Sequence, residues 1–425
     1  MKTIASIAAE LDGYDPQALR ASSVSDFLSR WVEPVAAQET ADIFHALGRI
    51  LSQDVISPIS VPPHDNSAMD GYAFDGRQLS SHAEAQETLT LEVVGTALAG
   101  KAWQGTVGAG ECLKIMTGAV LPPGLDTVVP QEFVTLQANA VSFPAKLLQP
   151  GDNRRKLGED LMQGQPALRR GDCLTPAALG LLASLGIEQV QVWRKLRIAY
   201  FSTGDEILSL GERPREGAVY DSNRYTVFGL LSRLGCEYID LGVVRDEPER
   251  LEEAFTTAAL QADAIITSGG VSVGEADYTK LIMHKLGDVA FWKIAMRPGR
   301  PMAVGRIGNS ILFGLPGNPV AVMVTFLAFV RPALLRMMGS TLQAPPLLKA
   351  HSMVPLRKKP GRTEYQRGSV SNAADGSLQV RAIGNQGSGV LSSMVHANGL
   401  IVLHHDQGNV AAGEEVDVMM FDGVI

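Results

Sequence analysis

Ala264-Ile-Ile-Thr-Ser-Gly-Gly-Val-Ser-Val-Gly-Glu-Ala-Asp-Tyr-Thr-Lys280 is the stretch that decides the fold. Ala264, Ile265 and Ile266 form a short apolar run of the kind that makes a buried parallel strand. The run breaks into Thr267, Ser268, Gly269 and Gly270, where glycine permits positive φ and lets a ligand approach the main chain. Asp277 stands at the N-cap position of a helix expected over Tyr278 to Leu286. Strand, glycine loop and helix start are together a general solution for holding a phosphate, because N–H groups and helix dipole both favour an anion. Glu275 and Asp277 add two carboxylates, which beside an anion point to a bridging cation. A plain βα turn with a capping aspartate is the alternative, since the loop is neither a GxGxxG fingerprint nor a Walker loop.

Strand and helix alternate on both sides of this stretch. Leu196–Phe201 reads as a strand ending in Ser202-Thr-Gly-Asp-Glu, and a helix follows from Tyr225 to Leu234. Glu237–Val243 is a strand ending at Arg245 and Asp246, and Pro248 opens a helix to Leu260. Val289–Lys293 is the strand after the opening stretch. The series predicts a parallel sheet with right-handed crossovers. Ligands of such sheets bind beyond the carboxyl ends of the strands, which brings Asp205, Glu206, Asp246, Ser268, Gly269 and Lys293 to one crevice. Arg297-Pro-Gly-Arg-Pro adds positive charge there. Val304–Ile307 and Ser310–Phe313 read as a hairpin around Gly308-Asn309. It leads into Gly314-Leu-Pro-Gly-Asn-Pro, where Asn318 caps and Pro319 opens a helix over Val320–Met338, a second helix N-terminus for an anion.

The N-terminal part has a different texture. Residues up to about Val24 read as a frayed lead-in. Val24–Val32 and Thr40–Leu51 carry apolar residues at helical spacing and are expected to be amphipathic helices. Asp65-Asn-Ser-Ala-Met-Asp-Gly-Tyr is too apolar at Ala68 and Met69 for a simple polar turn, which favours a site loop over a surface one. Short β runs follow at Leu89–Val94, Glu111–Met116, Asp126–Pro130 and Val141–Phe143. Thr117 and Gly118 end one of them. Arg154, Arg155 and Lys156, with Glu159 and Asp160 behind them, are a solvated charge run or an anion-binding arm. Thr175 to Leu185 is a helix. After Gln343-Ala-Pro-Pro the chain is β again, over Lys349–Leu356, Glu364–Val370, Leu378–Ala382, Gly399–His404 and Glu415–Met419, which suggests a small barrel or sandwich. Gln386-Gly-Ser-Gly is a turn in which Ser388 can reach a neighbouring site. His404, His405 and Asp406 lack a third and fourth metal ligand and read as a polar strand end.

The fold class expected is therefore multidomain α/β plus β, with a central three-layer βαβ domain. The chain of 425 residues is 45% hydrophobic and 19% charged, the balance of a globular protein. A net charge of −8 argues against nucleic-acid binding. Cys112, Cys173 and Cys236 are widely spaced and read as free thiols of a reducing compartment. Met1 to Arg20 carries no signal-peptide core, and Arg331 and Pro332 interrupt the longest apolar run, Val320–Leu335, so a cytoplasmic protein without a membrane span is expected.

Taken in order, the site loop at Asp65–Ala73, Ile115-Met-Thr-Gly-Ala, Gly158-Glu-Asp, Ser202-Thr-Gly-Asp-Glu, Tyr220-Asp-Ser-Asn-Arg, the opening stretch and Gly314-Leu-Pro-Gly-Asn-Pro resemble the molybdopterin molybdenumtransferase family. This is the MoeA family, to which the gephyrin E domain belongs, and the resemblance covers nearly the whole chain. It implies four domains, with 1–55 and 151–195 forming one that is discontinuous around an inserted β domain over 56–150, then the α/β domain over 196–343 and a C-terminal β-barrel domain over 344–425. It also implies the last step of molybdenum cofactor synthesis. Adenylylated molybdopterin and molybdate are the substrates, Mg²⁺ is required, AMP leaves, and a homodimer shares each site between its subunits. Carried over by motif, Asp70, Asp160, Glu206, Asp246 and Asp277 are the acidic catalytic residues, with Asp246 and Asp277 for the cation. Lys293 would neutralise the leaving phosphate. Thr117, Ser268, Gly269, Gly270, Ser272, Gly274, Arg297, Arg300, Pro316, Gly317, Asn318, Pro319 and Ser388 would bind substrate. Many relatives have lysines where this chain has Arg297 and Arg300, which keeps charge but changes a point donor into a planar fork. Adenylylation of molybdopterin, and a pterin-binding scaffold whose catalysis has lapsed, are the competing readings. Tungstate in place of molybdate stays open.

Overall fold

The structure, a computed structural model, describes residues 3–11, 14–80, 88–271, 278–342 and 344–421. The chain divides into two compact units. One comprises Met1–Gln53, Gly171–Thr175 and Gln189–Ile425, and the other Asp54–Arg170 and Pro176–Glu188.

The first unit is built on a six-stranded sheet. Its strands are β1 (Arg197–Thr203), β2 (Glu237–Val244), β3 (Ala264–Ser268), β4 (Gly287–Lys293), β5 (Pro301–Ile307) and β6 (Ser310–Leu315), in the order β2-β1-β3-β6-β5-β4. The first four in that order run parallel. β5 lies antiparallel between β6 and β4, so the βαβ series ends in a mixed edge. The β5–β6 hairpin turns at Gly308 and Asn309, with Gly308 at φ 57°. Helices α1 (Ser222–Arg233), α2 (Pro248–Gln261), α3 (Tyr278–Leu286) and α4 (Pro319–Thr325) complete three layers. Side chains alternate across the sheet as the pleat demands. Ile198, Tyr200 and Ile266 pack on the face that holds α1 and α4, while Ala199, Phe201 and Ile265 pack on the face that holds α2 and α3.

α4 does not stop at Thr325. It passes through a π turn, Phe326–Val330, into Arg331–Met337. Pro332 cannot donate to the carbonyl four residues back, and the wider turn, with Arg331 N–H bonded to Phe326 O, lets the helix run through it. The whole of Pro319–Met337 is long and apolar enough to cross a membrane by length and composition, but 67% of its most apolar window is buried inside the fold, where it forms core. The helix expected over Val320–Met338 is thus present, and Arg331 and Pro332 do not keep it from passing the test of length and composition.

Two further expectations about the N-terminus are corrected. The lead-in is ordered: Ile4–Ala9 is a helix capped by Thr3, and Ile4, Ile7 and Leu19 are buried. Thr40–Leu51 is not a helix. Gln38–Asp42 is a strand paired antiparallel with Gln189–Trp193, and a 3-10 turn at Ile43–His45 follows. Phe44 and Leu47 are exposed, and Gly48 at φ 75° breaks the chain direction. The helix expected over Val24–Val32 is present as Ala21–Trp31.

The C-terminal strands close on themselves. Thr363–Asn372, Leu378–Ala382, Leu348–Ser352, Glu415–Met420 and Gly399–Leu403 pair in that order, and the last pairs back to the first, making a five-stranded barrel. The second unit carries its own six-stranded sheet, ordered Thr127–Pro130, Gly71–Phe74, Glu111–Ile115, Thr88–Ala97, Ala140–Pro144 and Thr135–Gln137. Tyr72, Phe74, Leu91, Val129 and Phe143 fill one of its faces.

Candidate active site

In the first unit the carboxyl ends of the parallel strands open onto a cleft of about 600 Å³. Thr203, Gly204 and Glu206 enter it after β1, Asp246 after β2, and Gly269 and Gly270 after β3. Pro316, Gly317 and Asn318 enter it from the turn after β6, Arg297 and Arg300 from the segment after β4, and Ser388 from the C-terminal barrel. Two guanidinium groups and two carboxylates thus line one crevice. The Thr203 hydroxyl is buried there and has no hydrogen-bond partner among the described residues.

The glycines serve by what they lack. Gly269 lies at φ 95°, and a Cβ built on it would stand 2.5 Å from Thr203 O. Its own N–H donates to Leu315 O at 3.1 Å, so that donor is already engaged by the sheet. Gly270 lies at φ 62°, with a built Cβ 2.6 Å from the Thr279 side chain. Neither position accepts a side chain in this backbone.

The barrel's contribution is anchored by a residue the sequence did not single out. Arg367 is 1% exposed. Its Nε donates to Ser393 Oγ at 3.0 Å, and its Nη2 donates to Asn385 O at 3.2 Å and Gly387 O at 3.0 Å. Gln386 bonds the Arg367 main chain through both ends of its amide. Ser388 O accepts the Val320 N–H at 3.1 Å, tying the same loop to the start of α4. Burial, and then the charge of Arg297, hold the Arg367 guanidinium below the usual arginine range. An adjoining cavity of about 230 Å³ shares Arg297, Pro298 and Gln386 with the cleft and is lined by Arg357 and Arg367. Three arginines thus line that cavity, with the Glu364 carboxylate beside them.

Several expected residues take other places. Ser268 is 3% exposed, and its hydroxyl faces Tyr200 beneath the cleft rather than the cleft itself. Lys293 ends the edge strand β4, paired with Pro301, and is not among the residues that line the cleft. Asn318 holds the N-cap position of α4, but its side chain makes no capping bond. Pro319 opens the helix and does not line the cleft. The side chain of Asp205 is not in the cleft lining either, although Arg245 donates to its carbonyl at 2.9 Å. Ser272, Gly274, Glu275 and Asp277 lie outside the described residues. His404 Nε2 sits 2.5 Å from Asp417 Oδ2 on the barrel, and no group of three or more potential metal-binding side chains occurs among the described residues.

The second unit holds the remaining expected residues. Asp70 Oδ1 accepts from both the N–H and the hydroxyl of Thr117, each at 2.7 Å. Those two bonds, main chain first, hold the Asp70 carboxyl below the usual range. Arg154 pairs with Asp65 at 3.3 Å, and Leu157 N–H donates to the same carboxylate. Asp160 is exposed, with its N–H on Val61 O. Of the charge run, Arg154 thus has an acidic partner.

Comparison with known proteins gives this arrangement a family. A model described as the MoeA N-terminal region (domain I and II) matches residues 20–186, a probable molybdopterin binding domain matches 199–336, and the MoeA C-terminal region (domain IV) matches 349–421. A molybdopterin molybdenumtransferase of Haemophilus influenzae is 44% identical over 388 residues, which are 91% of this chain and 95% of its own. The chain belongs to the MoeA family of molybdopterin molybdenumtransferases. It is thereby an enzyme of molybdenum cofactor biosynthesis. A molybdopterin molybdenumtransferase of Nostoc is 37% identical, covering 90% of this chain and 88% of its own. A solved molybdopterin biosynthesis MoeA protein from Pyrococcus horikoshii matches the fold with a TM-score of 0.80 at 27% identity, covering 95% of this chain and all of its own. The MoeA fold is the one the resemblance of the motifs implied, and the parallel sheet expected from the alternating strands and helices is part of it.

Proposed function

We propose that the cleft binds adenylylated molybdopterin beside molybdate, and that the enzyme transfers molybdenum to the dithiolene as the adenylyl phosphoanhydride is hydrolysed and AMP leaves. The supporting observation is the meeting, at the carboxyl ends of β1, β2 and β3, of side-chain-free glycine positions with two arginines and two carboxylates. A phosphoanhydride needs close main-chain approach, which Gly269 and Gly270 permit, and positive charge, which Arg297 and Arg300 supply. Molybdate, a tetrahedral dianion, suits the side of the cleft where Arg297 adjoins Arg357 and Arg367.

The donors fit a hard divalent cation. Carboxylate oxygens of Asp246 and Glu206, joined by Asp277, would hold Mg²⁺ together with substrate oxygens, and the ion would neutralise charge on the departing phosphate. The chain's own groups do the rest. The arginines orient the anions, and the Thr203 hydroxyl offers a hydrogen bond at the cleft wall. Asp70, fixed by Thr117, is kept ionised as an acceptor.

We propose further that the enzyme acts in the cytoplasm as a homodimer whose subunits share each site. The decisive measurement is AMP release from adenylylated molybdopterin with Mg²⁺ and molybdate. Wild type should release AMP in proportion to molybdopterin converted, and Asp246→Asn should lose most of it. Release that ignores molybdate would overturn the reading. Mixing and reassociating the inactive variants Asp70→Ala and Asp246→Asn tests the sharing. Half of the dimers are mixed and each regains one of two sites, so about a quarter of wild-type activity is expected, against none for self-contained subunits.

A further inference from the structure

We infer that Asn223 is a positioning residue, whose carboxamide ties the Pro316–Asn318 turn to the end of β3 and so fixes the spacing of two loops that line the cleft. Asn223 is the second residue of α1 and is 7% exposed. Its Nδ2 donates to Gly317 O at 2.8 Å and to Ser268 Oγ at 3.4 Å. An amide nitrogen carries two protons, one for each acceptor. The Gly317 carbonyl only accepts, so it sets which end of the amide faces it.

The anchor at the other end is rigid. Ser268 Oγ lies 2.7 Å from Tyr200 OH and 3.3 Å from Ser202 Oγ, and those two are 2.9 Å apart. Three hydroxyls in a closed ring can each donate once and accept once, which leaves Ser268 a second lone pair for Asn223. Tyr200, Ser202 and Ser268 are all buried on the adjacent strands β1 and β3. Burial, and then the charge of Asp221, keep the Tyr200 phenol protonated, so the ring holds its protons.

The turn needs such a tie. Gly317 has no side chain, and a Cβ built on it would meet nothing within 4 Å, so packing does not hold the apex of the turn. Asn318 makes no side-chain cap bond and stays turned to the cleft. The amide of Asn223 therefore sets where Gly317 and Asn318 stand relative to Gly269 and Gly270. This inference rests on reading the cleft as the adenylylated-molybdopterin site, and it adds which residue spaces its phosphate-facing loops.

Two variants test it. Asn223→Ala removes the tie, and Asn223→Asp keeps the shape while setting an oxygen against Gly317 O. Hydrogen exchange of ligand-free protein, read on peptides spanning 314–322, should accelerate about tenfold in both, the order expected for losing one buried hydrogen bond. The melting temperature should fall by no more than about 3 °C. AMP affinity in the presence of Mg²⁺, measured by calorimetry, should weaken about tenfold, which a merely structural residue would not do with the fold intact. Unchanged exchange overturns the tie. Faster exchange with wild-type AMP affinity overturns the positioning role. Wild-type protein that binds no AMP would sink the reading of the cleft instead, and the exchange measurement, made without ligand, still decides the tie.

Discussion

Replacing Arg367 with methionine separates charge from architecture at the barrel side of the cleft. The substitution removes three hydrogen bonds, to Ser393 Oγ, Asn385 O and Gly387 O. A bond from a charged donor contributes about 1.5–3 kcal/mol. Burying the guanidinium costs several kcal/mol, so the two effects largely offset and the net loss of stability should be about 1–3 kcal/mol. The main-chain bonds with Gln386 survive, and the loop stays attached. Function should suffer more. A unit charge about 8 Å from a bound anion contributes about 2 kcal/mol at an effective dielectric of about 20, or roughly thirtyfold in affinity. Half-saturating molybdate in the AMP-release assay should rise by about that factor. Arg367→Lys keeps the charge but not the fork, and should recover most of the molybdate response while losing part of the stability. Urea denaturation and a molybdate titration of both variants read the two effects separately. A folded Arg367→Met protein with wild-type molybdate response would refute the electrostatic argument. Equal losses in both variants would show that loop geometry, not charge, governs the site.

Gly269→Ala forces a side chain into positive φ and against Thr203 O; it should cost about 1–3 kcal/mol in strain and abolish most AMP release, as denaturation and activity assays would show. Thr117→Val removes one of the two bonds that hold the Asp70 carboxyl low. A depressed folded value means the favourable ionised state is complete above the unfolded value and is lost as pH falls through the folded one, so the variant should move that loss to higher pH in a carbon NMR titration of Asp70. Burial pushes the thiols of Cys112 and Cys236 up to about 12. Both should resist Ellman's reagent at pH 8 until the protein is unfolded. Because the folded values exceed the unfolded ones, their contribution is complete below about pH 8.5 and is lost as pH rises toward 12, so alkaline melting should show declining stability across that window.

The sheet was legible because its strands are buried on both faces and read as apolar runs, as Ile198–Phe201 and Ala264–Ile266 do. The same reasoning failed at Thr40–Leu51. Ile43, Leu47, Ile50 and Leu51 fit a helical period, but the segment's partner, Gln189–Trp193, is about 150 residues further along the chain, and pairing at that range leaves no local trace. Pro332 did not mislead: the helix expected over Val320–Met338 runs through it, because one π turn absorbs the proline without ending the helix.

The site divides along a similar line. Residues at strand ends, such as Glu206, Asp246 and Gly269, follow from topology, because any parallel sheet brings them together. Arg367 does not, since it acts on carbonyls supplied by distant turns and carries no spacing signal; Asn223 lay inside the quoted Tyr220–Arg224 motif, but its role depends on a carbonyl from the distant Gly317 turn. Ser268 was within reach and was misplaced. Side chains alternate along a strand, so Ser268 shares a face with Ile266, whose neighbour in register is Tyr200. That parity turns the Ser268 hydroxyl toward the α1 side of the sheet, where Tyr200 and Asn223 meet it. The first position free of the pleat is Gly269, already at positive φ, and there the chain turns from the sheet into the cleft wall. In a glycine loop of this kind the serine before the first glycine belongs to the scaffold, and substitutions there should report on loop spacing rather than on direct substrate contact.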